Sequence, residues 1–399
     1  MLLVSKAFKL LVYLLSPIII TIILIFSIFR KIRFCILPAH RIGEIAGLTA
    51  LYIYEKKNKK NNLDIFFLTH LVANKFLINL LKKYILILPH LYVQPIFQSI
   101  KIISNFIPYL KKFYFTHTCV DKNFSISKSK KIKLDKEHVI KGENFLKRIG
   151  VPKDSKIACL MVRDEKYLKG LLPDQNFSYH DYRNCNIDNY KKTIMHLISK
   201  NYYVFRMGVT YKKELRIKNS KFIDYSKNYR SDFLDIFLAY RCNLVITSDC
   251  GWDIVPSFFF KKPILYTNVV PYLGCKPYLK NSVFLAKSYY NIKTKKKISP
   301  WIVNKIITKP FDGREYKKNG IRLIENKPNE IKDATIQILN FIEKKNNNLK
   351  KKDKDISLKM WKKFNQNINN KSEIFNNKRF PKGNFSINFL KINQKILKI

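Results

Sequence analysis

With 399 residues and a hydrophobic content of 47%, the chain has material for two domains of ordinary size, which excludes a disordered protein. Its 76 Lys and Arg against 28 Asp and Glu leave a formal net charge of +48. That charge marks either phosphate-rich partners (nucleic acid, anionic lipid, nucleotide-linked substrates) or the solvated lysines of a chain in which Lys, Ile, Asn, Phe and Tyr all run high, as in an A- and T-rich genome. Seven cysteines stand singly, with no C-x-x-C pair and no Cys/His cluster at zinc spacing, so neither a disulfide framework nor a structural metal is indicated.

Leu10 to Phe29 is an uncharged run of Leu, Ile, Val and Phe, long enough to cross a bilayer core as a helix. Lys6 and Lys9 precede it and Arg30, Lys31 and Arg33 come directly after, which speaks against a cleaved signal peptide. The expectation is an anchor over residues 1–33 in a bacterial inner membrane, with the body in the cytoplasm. Pro17 is placed to kink this helix, and a helix lying in the interface is the alternative.

Beyond the anchor, Phe34 to Pro38 reads as a buried strand, followed by a loop through His40, Arg41 and Gly43 and an apolar helical pattern to about Tyr54. After the polar run Lys56 to Asn62 come a strand at Leu63 to Leu68, a helix at Ala73 to Tyr84 and a strand at Ile85 to Pro89. This alternation predicts a parallel sheet with crossover helices. Leu91 to Phe115 is aromatic and basic, suited to a core or to a membrane-facing surface. Lys122 to Lys141, lysine-rich and without apolar periodicity, reads as the linker that closes a first domain at 34–141.

The alternation then resumes over a second domain at 142–325. Strands are expected at Lys156 to Val162, Tyr202 to Arg206, Leu244 to Thr247 and Pro263 to Thr267, and helices at Ile187 to Ser199 and Ser231 to Arg241. Residues 326–399 read as a helix and tail, with a charge run at Asn346 to Lys354. Trp361 and the apolar Phe385 to Ile399 are expected to pack back on the body.

Three constellations carry chemistry. In the first, the strand ending at Thr247 runs into Ser248, Asp249, Cys250 and Gly251 and then a helix. Amides at a helix start, beside a glycine that admits a ligand, suit a diphosphate, while a helix merely capped by Ser248 or Asp249 is the plain alternative. In the second, the strand before His40 leads to Arg41, Gly43 and Glu44. Glu44 on the first helical turn is either a proton acceptor for a hydroxyl or a complement to the helix dipole. In the third, Arg163 and Asp164 at a strand end precede a long loop holding Tyr179, His180, Asp181, Tyr182 and Arg183. His180 is an acid–base candidate, and Arg163, Arg183 and Arg206 are planar forks for a diphosphate, or else surface ion-pair partners.

The stretches "RIGEIAG", "YHDYRNCNIDNY", "YYVFRMG" and "YRSDFLDIFLAYRCNLVITSDCGWDIVPSFFFKKPILYTN" resemble a family of bacterial glycosyltransferases of surface-polysaccharide synthesis, over nearly the whole chain beyond the anchor. "TSDCGWDIVPSFFFKKPILYT" is also similar to the donor-binding segment of lipopolysaccharide heptosyltransferases. The resemblance implies an α/β fold of the GT-B kind, in which an N-terminal Rossmann-like acceptor domain and a C-terminal nucleotide-sugar domain face each other across a crevice. It implies that Ser248, Asp249, Cys250 and Gly251 line the donor phosphates. Gly43 and Glu44 stand where heptosyltransferases carry a Gly-Asp pair whose acid is the base, and the family itself often carries His at the Glu44 position. Cys250 replaces a more usual small hydroxyl residue or glycine. The expected catalytic residues are thus Glu44, His180 and Asp181, with His40, Arg41 and Gly43 on the acceptor side.

The expected activity is inverting transfer of a sugar from a nucleotide-sugar donor to a polysaccharide or lipid-linked glycan. Helix N-termini and arginines are expected to stabilise the departing diphosphate, so no cofactor and no metal is expected, and the absence of a recognisable D-x-D beside a strand end agrees with this. The rival readings are a membrane-tethered binder of RNA or anionic lipid, for which no RNA-binding signature is present, and another group transfer such as pyruvyl transfer.

Overall fold

The computed structural model of the chain describes residues 2–55, 62–69, 71–115, 131–171, 174–275, 279, 282–343, 351–367 and 383–399. The polar run at 56–61, the first part of the expected linker at 122–130 and the charge run at 346–350 lie outside the described residues. The fold is mixed α/β with parallel sheets and divides into two compact units, Met1–Ser129 and Lys130–Ile399.

The first unit is built on three parallel strands in the order β1 (Lys31–Leu37), β2 (Asn62–Leu68), β3 (Leu86–Ile87). Helix α2 (Ile42–Glu55) joins the first two, and α3 (Lys75–Leu81), capped by the Asn74 side chain on the Leu77 amide, joins the second and third. β1 starts three residues earlier than its apolar run because Lys31, Ile32 and Arg33 pair in register with Asn62, Leu63 and Asp64. Arg33 is therefore no membrane-flanking charge. Its Nε and Nη2 donate to the two Asp64 oxygens at 2.7 and 2.9 Å, Tyr52 donates its hydroxyl to the same carboxylate at 2.6 Å, and the Phe115 ring lies 4.5 Å from the guanidinium.

The apolar N-terminal run forms helix α1 (Leu2–Phe26). It is not the free-standing anchor expected from hydropathy. Ile20 and Ile23 are buried in one cluster with Val93, Phe97 and Ile100 of α4 (His90–Ile103), and that cluster continues into the sheet residues Phe34 and Phe67. Among the described residues no helix is long and apolar enough to cross a membrane. The helix continues without interruption through Pro17. The carbonyl of Tyr13, left without its usual amide partner by the proline ring, accepts the Ser16 hydroxyl at 2.7 Å instead.

The second unit holds a seven-stranded, wholly parallel sheet. Its order is β6 (Phe222–Ile223), β5 (Tyr202–Arg206), β4 (Lys156–Met161), β7 (Leu244–Thr247), β8 (Ile264–Val269), β9 (Ser282–Ala286) and β13 (Asn384–Phe385). The chain starts in the middle at β4, moves outward through β5 to β6, then returns to the other side of β4 for β7, β8 and β9. That reversal creates a crevice at the carboxyl ends of β4 and β7, the place where doubly wound sheets bind ligands. A small antiparallel sheet of β10 (Ser288–Asn291), β11 (Lys296–Ile298) and β12 (Ile321–Ile324) lies outside the main one.

The boundary between the units falls within the expected linker, but the linker's last residues, from Lys136, are already helical. Lys136–Arg148 is helix α5, and its Gly142 lets it approach Phe237 of α7 (Asp232–Arg241) so closely that a methyl group there would stand 2.2 Å from the ring. The helix expected from Ile187 is a 3-10 turn, Ile187–Tyr190, that continues as α6 (Lys191–Ser199). Helices α8 (Pro328–Ile342), α9 (Lys351–Asn367) and α10 (Ile387–Leu397) complete the unit. Trp361 of α9 donates its indole N–H to the Gly383 carbonyl at 3.1 Å and packs on Phe385 of β13.

Candidate functional site

The turn after β7 stands at the carboxyl edge of the sheet, beside the end of β4. The Ser248 amide donates to the Met161 carbonyl at 3.1 Å, and its hydroxyl accepts the Arg163 amide at 2.8 Å, so the two strand ends are tied across the crevice. Asp249 takes a left-handed backbone (φ 58°), a conformation that Asp and Asn enter more readily than other side chains. From Gly251 onward the backbone departs from the regular helix expected. Gly251–Asp253 is a single 3-10 turn, and Val255–Phe259 is a buried π-helical turn containing Pro256, whose missing N–H cannot serve an α-helical ladder. Nor does Ser248 or Asp249 cap it. The first helical position comes after Cys250, which has no side-chain cap, and the Cys250 amide is taken by the Thr247 hydroxyl at 3.3 Å. Thr247 in turn donates to buried Asp253 at 3.1 Å. Burial, then the nearby Asp253, pushes the Cys250 thiol up to about 11, so this side chain is a neutral filler.

Two arginines meet this turn. Arg183 donates through Nη2 to the Asp249 carbonyl, and Arg163 lies just beyond β4. Burial, followed by the charge of Arg183, holds Arg163 below the usual guanidinium range. Burial also works against the charged form of Arg183, but Asp249 offsets it and leaves that group raised. Among the described residues neither arginine is ion-paired, and the buried Nε of each lacks a hydrogen-bond partner. The buried Oδ1 of Asn184 is likewise unpartnered there.

His180, Asp181 and Arg183 are carried by a 3-10 helix, Ser178–Arg183, where the sequence pattern predicts an irregular loop. A pocket of about 300 Å³ opens between this helix and the short helix Lys166–Leu171. Arg163, Glu165, His180, Asp181 and Asn184 line it. His180 packs on Tyr179 with ring centroids 4.0 Å apart, and Asn184 donates to Asp181 at 3.2 Å.

The shell that supports this edge has almost no trace in the sequence. Lys287, buried at the end of β9, donates to the Tyr182 and Asn184 carbonyls at 3.0 and 2.9 Å and so pins the 3-10 helix to the sheet. Asn268, also left-handed (φ 54°), ends β8 and exchanges amide-to-side-chain bonds with Asn326 at 2.6 and 2.7 Å. Tyr190 shares a 2.6 Å bond with Thr267 and accepts Asn268 Nδ2 at 3.1 Å. A buried Asn or Lys at a strand end is the only linear signal for any of these. Their partners lie as far as 105 residues away.

Arg206 is not brought to the pair. It is buried at the end of β5, where its Nη2 donates to the Lys213 carbonyl at 2.6 Å, Nη1 lies 3.7 Å from Asp224, and Tyr211 stacks 3.7 Å beneath. In the first unit, His40 and Arg41 lie just beyond the carboxyl end of β1, with Gly43 and Glu44 both in the first turn of α2 rather than in a loop. Arg41 Nη1 donates to Glu44 at 3.1 Å, and both are partly exposed. Among the described residues no His, Cys, Asp and Glu group of metal-binding size occurs.

No family model matches the chain, and no curated protein matches it. Solved structures similar to it include the following two. One is the ADP-heptose LPS heptosyltransferase II of E. coli, at 11% identity over 64% of this chain and 90% of that one, with a TM-score of 0.37. The other is a family 9 glycosyl transferase from Veillonella parvula, at 11% identity over 78% of this chain and 98% of that one, with a TM-score of 0.43. With neither TM-score reaching 0.5, it is the site's own geometry that carries the functional reading.

Proposed function

We propose that the second unit binds the diphosphate of a nucleotide-activated sugar beside the turn Ser248–Gly251, and that the protein transfers that sugar to a surface-polysaccharide or lipid-linked glycan. The observation that supports this best is a pair of part-buried arginines at the reversal point of the sheet, each with a buried Nε that lacks a hydrogen-bond partner and neither ion-paired among the described residues. Burial, then the charge of Arg183, disfavours the charged form of Arg163, and an anion carrying two or more charges would offset both effects while bonding to both guanidiniums.

In the reaction, an acceptor hydroxyl oxygen bonds to the anomeric carbon as the bond from that carbon to the diphosphate oxygen breaks. The leaving diphosphate takes the electron pair, and Arg163 and Arg183 stabilise the charge that grows on it. The acceptor's proton passes to a carboxylate or imidazole, for which Glu44 in the first unit and His180, next to Asp181 in the second, are the assigned groups. In-line attack inverts the anomeric centre. Fixed positive groups do the work that a divalent cation does elsewhere, so the reaction proceeds without metal. Ser248, with its hydroxyl held by the Arg163 amide, positions the turn, and Cys250 contributes backbone only. Nucleotide sugars and lipid-linked acceptors meet at the cytoplasmic face of a bacterial inner membrane, and the activity is assigned there.

The test incubates the purified protein with a panel of nucleotide sugars and a membrane lipid extract and measures release of the nucleoside diphosphate. Turnover is expected with one donor class, unchanged by EDTA. Glu44→Ala, His180→Ala and Asp249→Ala are assayed separately, and full turnover in all three would remove these residues from the mechanism. Binding of RNA that weakens steeply with salt, in a protein releasing no diphosphate, would favour the nucleic-acid reading instead.

A further inference from the structure

We infer that α1 docks the first unit onto the surface of an anionic bilayer, lying in the plane of the membrane rather than crossing it. This inference concerns a face of the first unit and does not depend on the sugar-transfer reading. Helix α1 has two apolar sides. Val12, Ser16, Ile20 and Ile23 are buried, whereas Leu10, Leu14, Ile18, Ile22 and Ile25 are exposed, and at 3.6 residues per turn the two sets point in opposite directions. Leu14 is 70% exposed. A helix that spans a bilayer meets lipid or apolar partners all round. Here the buried side is held by α4 in a cluster that continues into the sheet through Phe97 against Phe67.

Further large apolar side chains of the first unit are exposed beyond the helix: Phe29 is 84% and Phe106 83% exposed, and Ile107 and Tyr109, close in sequence to the latter, are exposed as well. Charge complementarity identifies the occupant. Arg30 and Lys31 follow α1, Lys101 is exposed near the end of α4, and Lys111 and Lys112 flank the aromatic segment, with Lys112 Nζ 3.4 Å from the Tyr109 ring centroid. Between residues 1 and 43 and again between 65 and 120 the sequence contains no Asp or Glu. The three acids elsewhere in this first part are Glu44, Glu55 and Asp64, and two of them are bonded to arginines. An exposed apolar helix side in a part of the chain whose charges are almost all cationic matches the boundary between acyl chains and anionic headgroups.

The test uses the full-length chain with single tryptophans introduced at exposed positions of α1: Leu14→Trp, Ile18→Trp, Ile22→Trp and Phe26→Trp. The native Trp252, Trp301 and Trp361 are buried and give a constant background. Each variant is mixed with phosphatidylglycerol–phosphatidylethanolamine vesicles containing lipids brominated near the headgroup or near the chain end. In-plane docking predicts that all four are quenched more by the shallow label and to the same degree. It also predicts binding at least tenfold weaker to phosphatidylcholine vesicles, and a similar loss on anionic vesicles for the triple variant Lys101→Glu, Lys111→Glu, Lys112→Glu. Quenching that passes from shallow to deep along the series would overturn the inference in favour of a span. Absence of quenching at every position would overturn it in favour of a protein partner on that face. Unchanged binding by the triple variant would remove the anionic headgroup from it.

Discussion

Arg163 and Arg183 are part-buried and, among the described residues, no carboxylate is bonded to either; burial holds Arg163 below the usual guanidinium range, whereas Asp249 outweighs burial at Arg183 and leaves it raised. A hydrogen bond to a charged group contributes about 1.5–3 kcal/mol, so Arg183→Ala is expected to weaken nucleoside diphosphate binding about 10- to 100-fold by calorimetry. Arg183→Lys should recover little, because a point charge cannot hold the Asp249 carbonyl and a phosphate together as a planar fork does. Asp235 behaves differently. Burial, opposed by Arg230 and the Tyr225 hydroxyl, pushes its carboxyl up to about 6 from an ordinary value of 3.8. A carboxyl with a higher pKa folded than unfolded binds its proton more tightly in the native state. Its contribution therefore strengthens the fold as pH falls from about 6 towards 4 and is lost as pH rises through 6. Relative to Asp235→Asn, the wild type is expected to gain about 2–3 kcal/mol between pH 7 and pH 4 in denaturant melts. A constant difference between the two proteins across that range would contradict this assignment.

Among the elements, α5 and α7 show how tightly one position can be specified. Ala in place of Gly ordinarily favours a helix interior by about 1 kcal/mol. At Gly142, however, a methyl group would meet the ring of Phe237, which is itself fully buried and stacked on Phe233. Overpacking of this kind costs about 1–3 kcal/mol and outweighs the propensity, so Gly142→Ala is expected to lower the unfolding free energy, and a stabilised variant would show that the ring can move. The strands β4, β5, β7 and β8 are legible within two residues at their ends, since each is a short apolar run ending in polar residues. β6, β9 and β13 are not, because two to five residues without a turn signal look like loop until a neighbouring strand pairs with them. The proximity of Arg163, Arg183 and the Gly251 turn can be guessed from strand ends in a parallel sheet. The diversion of Arg206 to Asp224 and Tyr211 cannot, since a strand-end arginine reads the same whichever partner claims it. Hydropathy likewise cannot tell a helix surrounded by lipid from α1, which divides its apolar surface between α4 and solvent.

For the molecule as a whole, the two units carry separate cores, and every residue of the arginine cluster, the pocket and the supporting shell lies in the second. Residues 130–399 expressed alone are accordingly expected to bind a nucleoside diphosphate within about threefold of the full chain while losing transfer activity. A loss of binding by more than tenfold would mean that the first unit supplies part of the donor site.

The edge strand β13 pairs with β9 although about a hundred residues of chain separate them. While a ribosome is still making that stretch, at roughly 5–20 residues per second, β9 waits with an open row of amides and carbonyls. A truncation anywhere before residue 384 would make that interval permanent. Such fragments should keep most of the second unit's sheet, β4 to β9 and their neighbours, yet cling to chaperones or to one another, and be recovered as aggregates and not as a smaller soluble protein.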